Sequence, residues 1–215
     1  MKSCEIQIKN IPVKSSILPL PVTFSALAEV TSCIVVWSGR LAVVVDPGGE
    51  AEKIVRFLKR NKLEVGEYWL THAHPDHVGG LSKLLDDFPA PVRYHNADSR
   101  WMKFSFPNPG ARKEWFRPFG AIRRIACGEI AAKVILTPGH TRGGVCYWFE
   151  KLGILLSGDT LMRGCEGATC FPGGDSDDLC ASIRKIFRKV PNDTKIIPGH
   201  GCVTVVADEL SAVSA

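Results

Sequence analysis

The stretch HAHPDH, residues 72–77, has three histidines and one aspartate within six positions, directly after a predicted buried strand, EYWLT. Along an extended segment, alternate residues such as His72 and His74 point to the same side. The turn at the proline redirects Asp76 and His77. One loop can therefore present two pairs of ligands to two metal positions.

Three further loops carry a histidine or an aspartate where a predicted strand ends. They read TPGHT, SGDT and PGHG, and they supply His140, Asp159 and His200. Strand ends are rigid, and glycine or proline in the loops allows the close backbone approach that a metal site requires. Five of the six histidines lie in these four loops, and we interpret the sixth, His95, as a residue outside the site. This clustering predicts a metal centre.

Length and composition predict one domain rather than a multi-domain assembly. The 215 residues are 45% hydrophobic and 23% charged, which provides enough apolar surface for a single core. We expect a single domain over residues 1–215 with its core at about 25–205. The net charge of +5 arises from 27 Lys and Arg against 22 Asp and Glu and is spread along the chain. We therefore expect no nucleic-acid partner.

The N-terminal residues and the cysteines indicate the cellular setting. The opening stretch, MKSCEIQIKNIPVKSS, lacks the apolar core of a signal peptide, and no window approaches the roughly 18 apolar residues of a membrane span. We expect a soluble, cytoplasmic protein with no membrane partner. The eight cysteines include no C-x-x-C pair, so we interpret most of them as reduced thiols that act as small core hydrophobes.

The order of predicted elements indicates the fold class. Strands are predicted at residues 5–13 and 27–46, followed by an amphipathic helix, EAEKIVRFLKRN. Prolines interrupt residues 90–120, where we expect a short helix and a long ordered loop. Strands resume after residue 120, the helix SDDLCASIRKIF has Ser176 as its predicted N-cap, and KIIPGHG ends as a strand and turn. Two groups of strands around a helical middle predict an α/β sandwich with the sheets inside.

The loops HAHPDH, TPGHT, SGDT and PGHG, in this order and with VVVDPGG upstream, resemble the metallo-β-lactamase superfamily of hydrolases. The resemblance implies a four-layer αβ/βα sandwich in a single domain, with the site at the sheet edges. Within the superfamily, the succession of GDTL, RGC, FPGGD, a helix and PGHG is most similar to small glyoxalase II-like hydrolases, which are relatives of hydroxyacylglutathione hydrolase.

The resemblance also implies a role for each residue of the loops. A first metal would be held by three histidines, a second by an aspartate and two histidines, and one aspartate would bridge both metals. Asp46, at the end of its strand in VVVDPGG, would lie behind the ligands and fix a histidine tautomer by a hydrogen bond. The implied ligands are His72, His74 and His140 for the first metal, Asp76, His77 and His200 for the second, and Asp159 for both.

Such a centre predicts hydrolysis. Two metals about 3.5–4 Å apart would lower the pKa of a shared water and supply a hydroxide at neutral pH. The metal-bound hydroxide would attack a small-molecule substrate, and Asp76 would both ligate the metal and orient the hydroxide. An acyl thioester suits this chemistry because a thiolate leaves with little protonation. We expect two divalent ions, with zinc favoured and iron or manganese as alternatives.

Two other functions remain open. A persulfide dioxygenase, a relative that shares RGC after GDT, would use a single iron on His72, His140 and Asp159. A non-catalytic protein would keep the metal site to support its fold or to carry electrons. A true β-lactamase is disfavoured, because the common zinc subclass has a cysteine at the position of Asp159.

Two departures from the glyoxalase II pattern concern substrate recognition. Only 15 residues follow His200, so we expect no counterpart of the C-terminal helical domain that contributes to glutathione binding in the full-length family. Residues 164–175, GCEGATCFPGGD, have Ala168 and Cys170 where the small relatives usually carry arginine and aspartate.

Three residues are candidates for contact with an anionic substrate, namely Arg142, Tyr147 and Arg163, although solvated surface positions are the favoured interpretation. The sequence gives no indication of the oligomeric state, of the acyl group, or of a role for Cys165 and Cys202.

Overall fold

Two mixed β-sheets and the helices around them make up the structure, a computed structural model that describes residues 5–14, 30–107 and 110–213. The predicted strand at 27–46 therefore begins outside the described residues, and its described part forms two strands joined by a turn at residues 39–40. This hairpin follows the β-branched pattern of the sequence.

The first sheet has six strands in chain order. Strands β1 to β3 pair antiparallel, whereas β3 to β6 pair parallel. The strands are β1 (Gln7–Lys14), β2 (Val30–Ser38), β3 (Leu41–Val45), β4 (Glu64–Trp69), β5 (Val92–His95) and β6 (Phe116–Phe119).

The second sheet has the order β14-β13-β10-β9-β8-β7, and its one parallel pair among the described residues joins β10 to β13. Strands β11 and β12 form a separate short hairpin. The strands are β7 (Arg124–Cys127), β8 (Ile130–Leu136), β9 (Val145–Phe149), β10 (Ile154–Gly158), β11 (Leu161–Met162), β12 (Cys165–Glu166), β13 (Lys195–Pro198) and β14 (Thr204–Val205).

Helices connect the strands and cover the outer faces of the sheets. They are α1 (Ala51–Arg60), α2 (Pro75–Val78), α3 (Leu81–Asp87), α4 (Ser99–Ser105), α5 (Ser176–Lys189) and α6 (Val206–Val213). Helix α1 buries Ile54, Val55 and Leu58 along one face, as its amphipathic pattern predicts. None of these helices has the length and apolar character needed to cross a bilayer.

Three buried apolar clusters separate four layers. One lies between the first sheet and helices α1, α3 and α4, and another lies between the second sheet and α5. The central cluster joins the two sheets and includes Val45 and Trp69 from the first sheet and Ile130 and Tyr147 from the second. The predicted α/β sandwich, with sheets inside and helices outside, is thus confirmed.

The prediction for residues 90–120 was wrong in part, because this segment contains β5 and β6 as well as helix α4. Each strand has only four residues, with Pro91 directly before β5 and Pro118 within β6. Strand β5 alternates in burial, but over too few residues to indicate a strand, and β6 does not alternate. Pro118 is tolerated because β6 is the edge strand of its sheet. Helix α6 and strand β14 were also not predicted.

The N-cap of α5 differs by one residue from the prediction. Asp175, not Ser176, has the extended backbone of a cap, and its Oδ1 accepts a hydrogen bond of 2.9 Å from the Asp178 amide. Ser176 is instead the first residue of the helix. The capping function is the same, because aspartate and serine both accept from an unpaired amide of the first turn.

The cysteines are less buried than the sequence suggested. Cys33 and Cys146 lie in the core, and burial raises the pKa of the Cys146 thiol to about 11. Four others are exposed, which contradicts a core role for them: Cys165, Cys170, Cys180 and Cys202. All seven cysteines within the described residues are free thiols.

The contact between the sheets supplies a first test. Trp69 is fully buried, and its ring lies 5.4 Å from that of Tyr147 and 6.3 Å from that of Phe149. We expect Trp69→Ala to lower the free energy of unfolding by about 3–5 kcal/mol in a denaturant titration, because it leaves a cavity between the sheets. Phe104→Ala, which truncates an aromatic side chain that is 60% exposed, should change it by at most about 0.5 kcal/mol. Equal effects would contradict this account of the core.

Candidate metal centre

All seven predicted ligands meet at one edge of the sandwich. His72, His74, Asp76 and His77 follow β4 of the first sheet. The other three follow strands of the second sheet: His140 after β8, Asp159 after β10 and His200 after β13. These strands run in the same direction within each sheet, so their carboxyl ends lie side by side. His95, at the end of β5, lies outside the cluster.

Three groups of side chains can each bring donor atoms within 4.8 Å of one another. The groups overlap, because His72 and His77 belong to two of them. They are His72 with His74 and His140, His72 with His77 and Asp159, and Asp76 with His77 and His200.

Asp159 lies between the histidines of the first and the third of these groups. Its Oδ1 is 3.4 Å from Nε2 of His77, and its Oδ2 is 3.5 Å from Nε2 of His140 and 3.4 Å from Nε2 of His200. Asp76, in contrast, lies near His77 and His200 only, with its Oδ2 3.0 Å from Nε2 of His200. One carboxylate therefore faces both halves of the cluster.

Hydrogen bonds at the far ring nitrogen orient three of the histidines. Nδ1 of His140 lies 2.6 Å from the Ala168 carbonyl, and Nδ1 of His200 lies 3.0 Å from the Val30 carbonyl. Nδ1 of His77 lies 3.0 Å from Oδ2 of Asp46. In each case Nδ1 donates to an oxygen, so Nε2 is left to face the cluster. The contact at Ala168 uses the main chain, so it does not depend on the side chain at this position.

Asp46, which was expected behind the ligands, is buried at the end of β3. It accepts hydrogen bonds from the amide and hydroxyl of Thr71, at 2.8 and 2.6 Å, in addition to that from His77. The Thr71 hydroxyl lies 3.2 Å from Nδ1 of His72. Asp46 adopts φ 49°, a left-handed conformation that is unfavourable for a residue with a Cβ. The three hydrogen bonds offset this cost, and they link the carboxylate to His77 directly and to His72 through the Thr71 hydroxyl.

The loop at 198–201 needs glycine next to its histidine. A Cβ at Gly199 would lie 2.2 Å from Oδ1 of Asp159 and 2.8 Å from Cε1 of His77. The backbone of this loop therefore packs directly on two members of the cluster. A side chain at this position would push apart the carboxylate and the imidazole that share the centre.

Unpaired buried atoms test whether a metal fits this site. Among the described residues, the buried atoms without a hydrogen-bond partner include Nε2 of His72, His74 and His77 and Oδ1 of Asp159. A buried polar atom without a partner costs about 1–3 kcal/mol, and here several converge within one cluster. Imidazole nitrogens and carboxylate oxygens are suitable ligands for Zn, Fe and Mn. The residues present therefore fit divalent metal ions.

Electrostatics divide the cluster into two halves. Burial and the neighbouring His77 lower the pKa of His72 well below its usual value, and burial and His140 lower the pKa of His74 to about 3. Burial also lowers the pKa of His200, but Asp159 and Asp76 outweigh it and raise that pKa to about 10. His72 and His74 are therefore neutral, and Nε2 of each has no hydrogen-bond partner among the described residues, whereas a cation that binds at His200 must displace a proton.

Asp98 is a site residue that the sequence analysis did not identify. It is 1% exposed and follows β5 in a single 3-10 turn. Its Oδ2 accepts from the Ala73 amide at 3.1 Å and the Thr141 hydroxyl at 2.9 Å, and its Oδ1 accepts from the Gly143 amide at 2.7 Å. One carboxylate thus joins the HAHPDH loop to the TPGHT loop. The YHNAD sequence contains this aspartate, but β5 had to be recognised first.

A groove with a volume of about 530 Å³ borders the cluster. Trp101 connects the two, because its ring lies 4.3 Å from that of His74 and also lines the groove. Its Nε1 donates a hydrogen bond of 3.0 Å to the Pro172 carbonyl. The other lining residues are Ala97, Asp98, Arg100, Phe104, Arg142 and Gly173.

The three residues considered for contact with an anionic substrate differ in position. Tyr147 is fully buried between the sheets and donates to the Leu70 carbonyl at 2.8 Å, so it neither lies at the surface nor reaches a substrate. Its alternation within β9 places it on the inner face. Arg163 is exposed in the turn between β11 and β12. Arg142 is also exposed, but it lines the groove.

Comparisons with known proteins agree with this geometry. A family model described as the metallo-beta-lactamase superfamily matches residues 27–200. The chain is 30% identical over 190 residues to hydroxyacylglutathione hydrolase GloC of Haemophilus influenzae, covering 83% of this chain and 89% of that protein. The BLEG-1 B3 metallo-beta-lactamase has 31% identity and a TM-score of 0.77, covering 95% of this chain and 97% of that one. TTHA1623 in a di-iron-bound form has 27% identity and a TM-score of 0.76, with 94% and 98% covered.

The position of Asp98 supplies a second test. We expect Asp98→Ala to lower the free energy of unfolding by about 2–5 kcal/mol, because buried donors from two loops lose their acceptor. Asp98→Asn keeps one oxygen but turns an NH₂ group towards a donor, so its effect should be intermediate. Chemical denaturation of the metal-free protein measures both.

Asp86→Ala is the matched control for Asp98. Asp86 is an exposed aspartate whose partner, Arg112, is also on the surface, so its loss should cost at most about 1 kcal/mol. If Asp98→Ala were no more destabilising than this control, Asp98 would not join the loops.

Proposed function

The chain belongs to the metallo-beta-lactamase superfamily, and we propose that it is a binuclear metal-dependent hydrolase that acts on acyl thioesters. Members of this superfamily are generally metal-dependent hydrolases, and the chain carries a buried cluster of potential metal ligands. The observation that carries the proposal is the convergence of unpaired donor atoms at the border of a groove. The relative in Haemophilus influenzae, which is named as a hydroxyacylglutathione hydrolase, supports the thioester class.

We assign the cluster to two metal positions. Three imidazoles on one side of the cluster would hold the first ion, and the carboxylate and two imidazoles on the other side would hold the second. Asp159 would bridge them, since its two oxygens face histidines of both halves. The assigned ligands are His72, His74 and His140 for the first ion and Asp76, His77 and His200 for the second. Asp46 would fix the tautomer of His77 through their 3.0 Å hydrogen bond.

Bound divalent ions would supply a Lewis acid and lower the pKa of water. The protein's own residues would orient the reactants. Asp76 is the most accessible of the seven, with its side chain 21% exposed against 10% or less for the others. Its carboxylate would accept a hydrogen bond from the attacking water and hold that water in line with the acyl carbon. Trp101, against His74, would exclude bulk water from one side.

The groove favours a leaving group that departs without a strong acid. Its described lining residues include no lysine, tyrosine or histidine to donate a proton. The carboxyl group of Asp98 is already engaged by the two loops that it joins. A thiol, with a pKa of about 8.5, leaves readily as its anion, whereas an amine requires protonation. This chemistry supports a thioester over an amide.

Lactam hydrolysis is the second candidate, because the chain is 31% identical to a protein named as a B3 metallo-beta-lactamase. A lactam expels an amine nitrogen, so it should be the poorer substrate in a groove without a proton donor. Persulfide oxidation, the other enzymatic hypothesis from the sequence, would need a single iron. The separate group of donors formed by Asp76, His77 and His200 argues against a mononuclear site.

Substrate class and the role of Asp76 can be tested together. We expect the metal-loaded protein to hydrolyse S-lactoylglutathione or another acyl thioester with a higher kcat/KM than a β-lactam. Asp76→Ala should reduce kcat by about 10²–10⁴-fold, because the attacking water loses its hydrogen-bond acceptor and the second ion loses a ligand. Asp86→Ala removes an exposed carboxylate away from the cluster and should leave the rate unchanged. Intact thioesters after incubation with the loaded wild type would refute the proposal.

Metal content gives an independent test. We expect two divalent ions per chain by mass spectrometry, and His200→Ala should reduce this value towards one, because it removes a ligand of the second ion only. His95→Ala, which changes a histidine outside the cluster, should retain both ions. One iron per wild-type chain, together with oxygen uptake on glutathione persulfide, would instead identify a dioxygenase.

A further inference from the structure

The groove beside the metal centre has an aromatic wall held in a fixed orientation. Phe104 is 60% exposed, the largest exposed fraction among the bulky apolar side chains of the described residues. It packs edge-on against Trp101 at 5.7 Å, and Trp101 is itself fixed by its hydrogen bond to the Pro172 carbonyl and its contact with His74. Exposed aromatic surface that is held rigid loses little entropy when a ligand packs on it. This aromatic wall is therefore suited to bind an apolar group of a ligand.

The same groove contains two guanidinium groups from different elements. Arg100 lies on helix α4, and Arg142 directly follows Thr141 in the loop that carries His140. Within the described part of the chain, no ion pair forms at either one, whereas Arg40 and Arg112 on the surface each pair with a carboxylate. Two cationic side chains in the lining of one groove make that groove attractive to an anion.

Asp98 does not neutralise these arginines. It lines the groove, but its oxygens accept from the Ala73 amide, the Thr141 hydroxyl and the Gly143 amide. The stem of Arg142 lies close to Gly173 in the groove lining, since a Cβ at Gly173 would be 3.6 Å from its Cγ. The guanidinium groups are thus available to an external anion, and one of the two side chains packs against the groove wall.

From this arrangement we infer that the groove selects an anionic thioester, whose apolar part packs on Trp101 and Phe104 and whose carboxylate or phosphate is bound by Arg100 and Arg142. The reacting group in this inference rests on the proposed function, whereas the anion and the apolar part rest on the groove alone. A volume of about 530 Å³ lies within the range of small-molecule sites. Guanidinium groups bind carboxylates and phosphates with paired hydrogen bonds, so both kinds of thiol carrier share this chemistry.

Binding of thioethers that cannot be hydrolysed tests the inference without turnover. The probes are S-hexylglutathione, which carries carboxylates, S-hexyl-coenzyme A, which carries phosphates, and neutral S-hexyl-N-acetylcysteamine, titrated calorimetrically into the metal-loaded protein. We expect at least one anionic probe to bind about 10-fold or more tightly than the neutral one. Which anionic probe binds distinguishes the carboxylate carrier from the phosphate carrier. Equal affinity for all three probes would overturn the inference.

Matched variants locate the effect within the groove. Arg142→Gln should weaken the anionic probe about 3–10-fold and leave the neutral probe unchanged, and the double variant with Arg100→Gln should weaken it further. Arg163→Gln removes the same charge from an exposed turn outside the groove lining and should have little effect. Phe104→Ala should weaken all three probes alike. If Arg142→Gln and Arg163→Gln gave the same loss, net charge alone would explain the preference.

The two proposals can fail separately. Selective binding of an anionic probe, with its loss in Arg142→Gln but no thioester hydrolysis, would refute the proposed function and leave the anion site in place. Hydrolysis of neutral and anionic thioesters with equal kcat/KM, unchanged by Arg142→Gln, would refute the anion site and leave the hydrolase in place. All the variants change exposed side chains, and equal melting temperatures would verify that they fold.

Discussion

The position of the two sheets relative to each other is the constraint on which the candidate metal centre depends. Four of its side chains come from the first sheet and three from the second, so a shift of one sheet against the other would separate them. Hydrogen bonds cross between the sheets at this edge: the Val145 amide donates to the Thr71 carbonyl at 2.8 Å, and the Ser32 amide donates to the Gly199 carbonyl at 2.7 Å. These bonds lie beside the loops that carry the histidines, so they fix the stacking where a displacement would matter most.

A buried cluster of imidazoles and carboxylates is costly for a fold, and hydrogen bonds from the surrounding structure that orient several of the rings limit that cost. In the first sheet Asp46 orients the ring of His77 and also accepts hydrogen bonds from Thr71. In the second sheet, main-chain carbonyls do the same for His140 and His200. Within the described part of the chain, four unpaired atoms remain in the cluster, namely Nε2 of His72, His74 and His77 and Oδ1 of Asp159. A cation is the partner that would satisfy several of them at once.

The sequence predicted which side chains meet at the candidate metal centre better than it predicted the complete strand order. Ligand residues follow strands with strong β patterns, and parallel strands bring their carboxyl ends together, so HAHPDH, His140, Asp159 and His200 could be grouped without coordinates. Strands β5 and β6 could not be identified, because each has only four residues and a proline lies directly before β5 and within β6. They form only through pairing with distant parts of the chain. Asp98 was missed for the same reason. Its partners lie 25 and 43–45 residues away, at distances along the chain that no local pattern encodes.

The segment that was hardest to predict is also the one that forms the wall of the groove. The ligand loops extend from strands that the β pattern specifies, so the candidate centre is built into the sandwich. The groove residues Arg100, Trp101 and Phe104 instead lie on helix α4, between two weak strands, and contact the centre through one ring. Substitutions on that helix can change the shape and charge of the groove without moving a ligand. The proposed reactivity and selectivity would therefore depend on largely separate parts of this chain, although Arg142 lies in the loop that carries His140. Asp98, at the start of α4, connects the two parts.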